Sequence, residues 1–532
     1  MTDTAAKRRR MRLIIPAYPA LNIYSRVAAR TTALGPVCVA TAVKETGGWD
    51  AEVVDENNLS RYYPQDPSGG LDHRALQKKR PADVIGLYGG LTSTIPRLYK
   101  IAGLYKAMGC AVIAGGQHFV PETIEEGLRA GIDFIIIGEG EETVKELLSV
   151  LENKRGASLV CGIAYLENGK VHYTPEREKL TDFEKLPLPD FSLVRYADIK
   201  LYPVERIRGC GMNCEFCTVK GKPRHSSSER FLERVSSLVE TRNAKEFFVV
   251  DDLFGQQRDE TVRLCRMLAG YQAEIGRKLS FFVQIRLDKA QDAELLGAMR
   301  AAGVEGVAIG FESPIAEELK AMDKKLRQED MVTYAREFRR HGFLVHGMFI
   351  FGYPYASAPS FRMGIGERIK RYRDFIKKAK IDTVQVLLPV PLPGTELRQR
   401  LMDQGRLFPV SDLNWEYYDG NFPLFAPDEP LSPEEMQLAA RQIMGKFYQF
   451  KYLFLIALNI VSFPAIVFFL HNLTSGWKRW YRRWRNNLLR FGGWIVLNKW
   501  KSRFKKDGFK EKLRHAQSHI DRLKKQGQSV YH

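Results

Sequence analysis

The stretch RIRGCGMNCEFCTVKGK, residues 206–222, decides how the rest of this 532-residue chain is read. Cys210, Cys214 and Cys217 stand in a C-x3-C-x2-C spacing on a glycine-bearing loop that follows a strand-like run. Three thiolates so close together can hold three corners of a cubane iron–sulfur cluster and leave one iron open for chemistry. Structural zinc normally takes a fourth protein ligand, and His225 is the one nearby candidate; inert thiols are the remaining reading. Seven cysteines in a chain of this length are too few for a disulfide framework, which points to a reducing compartment and a metal site. Cys38, Cys110, Cys161 and Cys265 lie singly in apolar surroundings and read as buried, inert thiols.

Working outward toward the C-terminus, β-branched and apolar runs recur at 246–252, 279–288, 304–313, 344–354 and 383–395. Helical patterns separate them at 292–303, 327–342 and 366–379, with apolar residues every three or four positions. With the strand before Cys210 this makes six βα units, and barrel enzymes place their active groups at the carboxyl ends of such strands. Asp251 and Asp252, Gln284 and Arg286, Gly310 and Glu312, and Pro393-Gly394-Thr395 all fall where a strand runs into a loop. For each, an ion pair or a turn role competes with ligand contact. Glu312 and Arg286 follow apolar strands, where an unpaired charge is costly, so ligand contact or mutual pairing is favoured for them.

Toward the N-terminus, strand-like runs at 11–15, 51–55, 83–88, 111–116 and 133–141 alternate with helix-compatible stretches such as 95–109 and 121–130. This alternation implies an open parallel α/β sheet of about 150 residues, in which ligands sit beyond the carboxyl ends of the strands. Those ends carry Gly89-Gly90, Gly115-Gly116 and Gly138-Glu139-Gly140, which are either tight turns or places where a large cofactor approaches the backbone. No phosphate-binding loop and no dinucleotide fingerprint occurs, so nucleotide hydrolysis is not supported.

The cysteine loop resembles the radical S-adenosylmethionine superfamily, whose signature is this spacing with an aromatic residue, here Phe216, before the last cysteine. The resemblance implies a [4Fe-4S] cluster held by Cys210, Cys214 and Cys217, with S-adenosylmethionine chelating the open iron and reductively cleaved to a 5′-deoxyadenosyl radical. It also implies that Phe216, Asp251, Asp252, Gln284, Arg286, Gly310, Glu312 and Gly394 contact S-adenosylmethionine. Leu34-Gly35-Pro36, Thr92-Ser93-Thr94, GGQH at 115–118, GEGEET at 138–143 and LPLPDF at 186–191 further resemble the cobalamin-binding subclass. On that likeness Gly89, Gly90, Thr92, Gly115, Gly116, Gly138, Glu139 and Gly140 are candidate cobalamin contacts. The D-x-H-x-x-G motif that supplies an axial histidine is absent, which removes one positive sign of cobalamin without excluding it.

The resulting expectation is an α/β chain in five parts. Residues 11–155 form a cobalamin-binding-like Rossmann-type domain, 156–202 a linker, and 203–410 a partial (β/α)6 barrel. Residues 411–450 form a helical extension, and 451–532 an apolar anchor with a basic amphipathic tail. Nearly all of the formal +19 lies at the two ends: residues 471–532 hold 17 Lys/Arg against three acids, and the first twelve residues hold five against one. Residues 452–470 form an uncharged run of nineteen, long enough to cross a bilayer, but both flanks are basic, so an in-plane or re-entrant anchor bending near Pro464 is expected. A helix buried against the barrel is the alternative. In 476–490, Trp477, Trp480, Tyr481, Trp484 and Leu488 share one helical face, with Lys478, Arg479, Arg482, Arg483 and Arg485 around them. Such a helix suits the headgroup region of an anionic membrane. RNA is the rival partner, disfavoured because the apolar run has no use in RNA binding.

The expected function is a radical enzyme at the cytoplasmic face of a membrane, acting on an unactivated carbon of a lipid or isoprenoid-type substrate. Methylation follows if cobalamin is bound, and cyclisation or coupling if it is not. An electron donor such as ferredoxin or flavodoxin is implied. Radical modification of RNA or protein, or a non-enzymatic iron–sulfur scaffold, are the alternatives.

Overall fold

The computed structural model describes residues 9–23, 25–180, 183–324, 326–355, 363–461 and 474–526. Its N-terminal sheet is built around Arg9–Ile15, whose alternate residues Met11, Leu13 and Ile15 face one core and Ile14 the other. This strand pairs in parallel with Trp49–Asp55 on one side and Val84–Tyr88 on the other. Ala111–Gly115 and Phe134–Ile136 extend the sheet in parallel beyond Val84–Tyr88. The expected alternation of strand and helix is therefore present, with Leu34–Glu45 and Gly140–Leu151 packed in one core and Ile95–Ala107 and Pro121–Arg129 in the other.

The stretch expected as a linker contributes strands of its own. Ile163–Glu167 and Lys170–Tyr173 form a hairpin that adds two antiparallel strands to one edge. Its turn is Asn168-Gly169, both with positive φ (51° and 76°), the left-handed pair that matches the twist of a tight hairpin. Val194–Arg195 pairs in parallel with Trp49–Asp55 at the other edge, giving eight strands in all.

Six parallel strands follow in sequential order: Leu201–Val204, Glu246–Val249, Ser280–Gln284, Val304–Glu312, Leu344–Ile350 and Thr383–Leu387. The six βα units appear as expected, as an open barrel whose first and last strands remain edges. Helix boundaries follow side-chain chemistry. Ser227 accepts from the Arg230 N–H at 3.0 Å to start Ser228–Arg242, and Asn243 ends that helix in the left-handed conformation. Ser432 and Glu435 form a reciprocal capping box at the start of Pro433–Phe447. The helix end then meets the barrel's last strand, where the Tyr448 hydroxyl donates to the Val384 carbonyl and accepts from its N–H, each at 2.7 Å.

The C-terminal region, expected as an apolar anchor with a basic amphipathic tail, is largely docked on the rest of the protein. Helices Thr474–Phe504 and Phe509–Lys525 pack against the two upstream domains, and Lys451–Val461 packs on Thr474–Phe504. Trp500, Phe504, Phe509, Leu513, Ala516 and Ile520 are buried in the core that also holds Ile85, Leu98, Ile124 and Trp415. Arg441 lies over the rings of Trp500 and Phe504, 3.9 and 4.0 Å from their centroids. The tail's aromatic side chains pack on the segment after the barrel, where Phe509 meets Tyr417 and Phe422 at 4.8 and 4.6 Å between ring centroids, and Trp415 of that segment in turn meets His118 of the N-terminal domain at 5.0 Å. No helix among the described residues is long and apolar enough to cross a membrane. The uncharged run is described only as far as Val461, and its remainder with Pro464, like the side chains of Trp477, Lys478 and Arg479, lies outside the described residues.

Candidate functional site: a cysteine loop and an interdomain cavity

The cysteine loop is held from both sides by carboxylates. Asp251, buried at the end of strand Glu246–Val249, accepts the backbone N–H groups of Arg206 (2.6 Å) and Ile207 (2.9 Å). Asp252 accepts the N–H of Gly209 at 2.8 Å. Burial pushes the Asp251 carboxyl up to about 7, against the pull of those two N–H groups, and raises Asp252 in the same direction. Both expected ligand contacts are thus engaged in shaping the loop. Gly209 and Gly211 take positive φ of 94° and 72° as it turns.

Within the loop, Glu215 is gripped by Arg400, whose Nη2 donates at 2.9 Å, and by the Tyr353 hydroxyl. Phe216 packs edge-on against the Tyr353 ring at 6.0 Å between centroids. The three cysteines are half-buried, and burial followed by the neighbouring thiols raises the pKa of Cys210 and Cys217. Mutual elevation of this kind is what a cationic cluster relieves when it takes the thiolates. No three Cys, His, Asp or Glu side chains among the described residues converge as a single metal ion requires, whereas a cubane uses separate irons as its corners. The donor set and its spacing fit the cluster.

The remaining candidates on the barrel divide. Gln284 and Glu312 end adjacent strands, and the Arg286 guanidinium reaches Met212 of the cysteine loop at 3.5 Å from its sulfur. Arg286 is paired with Asp288 at 3.1 Å rather than with Glu312. Glu312 has φ +58° next to a register shift in its strand and pairs with Lys324 at 2.7 Å. Lys324 is held above its ordinary pKa by Glu312 despite the opposing effect of burial, and it also feels the Cys214 thiol. Gly310 gives that carboxylate its room, since a Cβ there would lie 2.4 Å from the Glu312 Oε1. Gly394 lies elsewhere: its φ is +75° and a Cβ would meet Val120 of the N-terminal domain at 3.2 Å, so it serves the domain junction. Lys324 carries no spacing signal in the sequence and was not anticipated.

Between the two domains lies a cavity of about 860 Å³. One wall is the carboxyl edge of the N-terminal sheet, including Gly90, Gly115, Gly116, Gly138, Glu139 and Gly140; the other is Pro203, Glu205, Arg208, Phe248 and Val250 of the barrel. Six of the eight candidate cobalamin contacts therefore line it. Gly89 and Thr92 stand behind the wall: Gly89 donates to the Gly115 carbonyl at 2.8 Å and accepts from the His118 N–H at 3.0 Å, and Thr92 touches the His118 ring at 3.4 Å. Thr94, from the same turn, is in the lining instead, as are Tyr18, Asp55 and Asn57, which carried no sequence signal. At Gly116, φ is +129° and a Cβ would sit 2.5 Å from the Gly89 carbonyl carbon, so only glycine lets the two loops meet. At Gly138 a Cβ would enter open space, which is the form of a wall kept bare for a large ligand.

No histidine is among the residues lining the cavity. His118 is buried against Trp415, 5.0 Å between ring centroids, and burial with the nearby Arg398 lowers its pKa to about 3. Glu139 ties the domains together, pairing with Arg208 at 3.1 Å and Arg224 at 2.8 Å, and those arginines hold its carboxyl below the ordinary range against its burial. The cavity's size, glycine wall and position between two sets of strand ends fit a corrinoid.

Comparison with known proteins agrees with this geometry. A family model described as B12 binding domain matches residues 23–148, and one described as Radical SAM superfamily matches residues 204–358. The chain is 28% identical over 360 residues to an uncharacterized methyltransferase of Pyrococcus horikoshii, covering 65% of this chain and 74% of that one. It is 26% identical over 343 residues to the bacteriochlorophyllide d C-12(1)-methyltransferase of Chlorobaculum tepidum, covering 62% and 67%. It is also 26% identical over 289 residues to the hopanoid C-2 methylase of Rhodopseudomonas palustris, covering 53% of this chain and only 51% of that relative. In fold it is similar to TsrM, a radical S-adenosylmethionine methyltransferase from Kitasatospora setae solved with cobalamin and a [4Fe-4S] cluster, with TM-score 0.59 and 16% identity over 75% of this chain and 78% of that one. The cobalamin-dependent radical enzyme OxsB, solved with aqua-cobalamin, aligns over 97% of this chain and 84% of its own with TM-score 0.62 and 14% identity. The chain belongs to the radical S-adenosylmethionine superfamily, in the subclass with an N-terminal B12-binding domain, and is an enzyme whose cofactors are a [4Fe-4S] cluster, S-adenosylmethionine and cobalamin.

Proposed function

We propose that this protein is a radical S-adenosylmethionine C-methyltransferase acting on an unactivated carbon of a hydrophobic lipid or isoprenoid-type substrate at the cytoplasmic face of a membrane. The observation that carries the methyltransferase reading is the cavity, which brings the carboxyl ends of both parallel sheets to one space, with Phe248 and Val250 of the barrel opposite the glycine wall. When bound, the cluster supplies the electron that cleaves S-adenosylmethionine to a hydrogen-abstracting radical, and cobalamin carries the methyl group to be transferred.

This chain's own residues supply position. Asp251 and Asp252 set the path of the cysteine loop, Glu215 with Arg400 and Tyr353 fixes its outer turn, and Glu139 with Arg208 and Arg224 holds the cavity's two walls at a constant separation. Arg286 and the Glu312–Lys324 pair present charged groups beside the loop, suited to the amino, carboxylate and ribose groups of S-adenosylmethionine. The apolar lining keeps water from a reactive carbon radical. The lipid-type substrate is supported by the hopanoid methylase relative, and membrane docking by the exposed apolar residues Phe454, Leu458, Ile460 and Val461. A ferredoxin or flavodoxin-type donor would supply the electrons, and nucleic acid is not a partner in this reading.

Anaerobic purification with iron, sulfide and cobalamin assays, followed by reduction with S-adenosylmethionine, tests it. Stoichiometric cobalamin with both 5′-deoxyadenosine and S-adenosylhomocysteine among the products is expected. A cluster and 5′-deoxyadenosine without S-adenosylhomocysteine would sink the methyltransferase reading. Coupling, cyclisation or rearrangement would then be left, cyclisation being the activity named for the anaerobic magnesium-protoporphyrin IX monomethyl ester cyclase of Synechocystis, to which the chain is 27% identical over 226 residues.

A further inference from the structure

Far from the cysteine loop, the tail helix Thr474–Phe504 crosses the barrel where helix Gln328–Arg340 ends and the chain turns at Lys380. Two adjoining cavities open there, of about 440 and 310 Å³. Their walls are Arg336, Arg339, Arg340, Lys380, Arg482, Arg483 and Arg490 with Asn486 and Asn487, and no carboxylate lines either. Asp382 stands behind the wall, already engaged by Arg339 at 3.1 Å and by the Asn486 amide. Arg340 pairs with Glu337 at 2.8 Å, whereas among the described residues neither Arg482 nor Arg483 has a carboxylate partner, and the Nε of Arg490 is a buried donor without an acceptor. Burial depresses Arg339 below the ordinary arginine range, against the pull of Asp382 and with the crowding of Arg482, Arg490 and Arg485 added to it. So many guanidinium groups facing one space repel each other unless an anion with several acceptor oxygens sits among them.

The same tail helix carries a second feature on an adjoining side. Arg490 donates to the Tyr452 hydroxyl at 3.3 Å and the Trp480 indole N–H to the Asn459 carbonyl at 3.2 Å, which lays helix Lys451–Val461 against it. That helix leaves Phe454 at 62% exposure, Leu458 at 61% and Val461 at 77%. An exposed apolar helix face next to a cationic recess matches one amphiphile, with a phosphate at one end and acyl chains at the other.

We infer that the arginine recess binds the phosphate headgroup of an anionic phospholipid, while the exposed face of Lys451–Val461 rests among the acyl chains. This rests on the membrane-docking reading above and adds to it a defined headgroup site on the barrel.

The test uses the full-length protein in co-sedimentation with vesicles of phosphatidylcholine alone and of phosphatidylcholine mixed with phosphatidylglycerol. The Arg482→Gln/Arg483→Gln variant is compared with Lys505→Gln/Lys506→Gln, a pair of equal charge on the exposed tail, after unchanged thermal melting has confirmed folding. The recess predicts that the arginine pair weakens binding to the anionic vesicles about tenfold while the lysine pair changes it less than about twofold. Equal losses from both pairs would mean diffuse attraction to the whole basic tail and would overturn the recess while leaving docking intact. Binding of the parent protein to neither vesicle would overturn docking itself. In that case thermal stabilisation by inorganic phosphate, lost in the arginine variant, would assign the recess to a soluble phosphate and reject the lipid.

Discussion

At the scale of single residues, the cluster loop depends on its cysteines and on the ion pair of Glu215 with Arg400. Cys214→Ser is expected to lose most of the iron and sulfide retained after anaerobic reconstitution while leaving the far-ultraviolet circular dichroism unchanged. Arg400→Gln removes the guanidinium that Glu215 faces, where both side chains are 17% exposed. It should cost about 2 kcal/mol, because a largely buried carboxylate is left with Tyr353 alone, and it should also lower cluster retention. Urea unfolding and iron content measure the two effects separately. Glu56 illustrates how ion pairs set the pH range. Its carboxyl is buried, yet hydrogen bonds from His73 and Arg97 bring its pKa down to about 2. A folded pKa below the unfolded value of 4.5 adds stability that is present above that value and is lost as the pH falls toward 2. Glu56→Gln should therefore destabilise the protein by about 2–3 kcal/mol at neutral pH and by much less near pH 2, provided the protein remains folded there. A Tm series against pH resolves the difference.

At the scale of elements, the glycine loops at the carboxyl ends of the N-terminal strands show where a turn becomes a binding wall. Gly116→Ala would force a Cβ into the Gly89 backbone and strain a left-handed conformation, at a cost of about 2–3 kcal/mol. Equilibrium dialysis should show cobalamin affinity falling further than stability does, because the displaced loop is the cavity wall itself. Much of this level was legible: the strand-like runs, the glycine ends and the cysteine spacing needed only local patterns. The Asn168-Gly169 hairpin was also legible in principle, since an Asn-Gly pair between short apolar runs is a strong local turn signal. The roles of Asp251 and Asp252 were not, because a carboxylate at a strand end looks the same whether it faces a ligand or a backbone N–H thirty or more residues away in the chain.

At the scale of the whole molecule, the C-terminal helices close over the segment that follows the barrel, through Tyr417 and Phe422. Trp500 lies among Phe422, Phe504 and Arg441. Trp500→Ala should cost about 3–5 kcal/mol, read by denaturant unfolding, since truncating a buried tryptophan both removes apolar burial and leaves a cavity. A purely membrane-lying tail would show no such loss in the absence of lipid. Of the face expected at the membrane interface, Trp480 donates to the Asn459 carbonyl at 3.2 Å and stacks on Trp484 at 6.2 Å between centroids, Tyr481 and Leu488 remain exposed, and the neighbouring Arg482 and Arg490 turn toward the barrel.

By itself the sequence determined the chemistry and the class of fold, because cluster ligation depends on spacing over eight residues and strand–helix alternation on periods of two and 3.6. The tertiary structure alone decided which strand-end residues serve the loop and which the cavity. It also decided that Glu139 joins two domains, that Lys324 pairs with Glu312, and that the tail's arginines converge on one recess. Each of these joins residues distant in sequence, and a charge or an aromatic ring gives no local sign of the partner that folding brings to it.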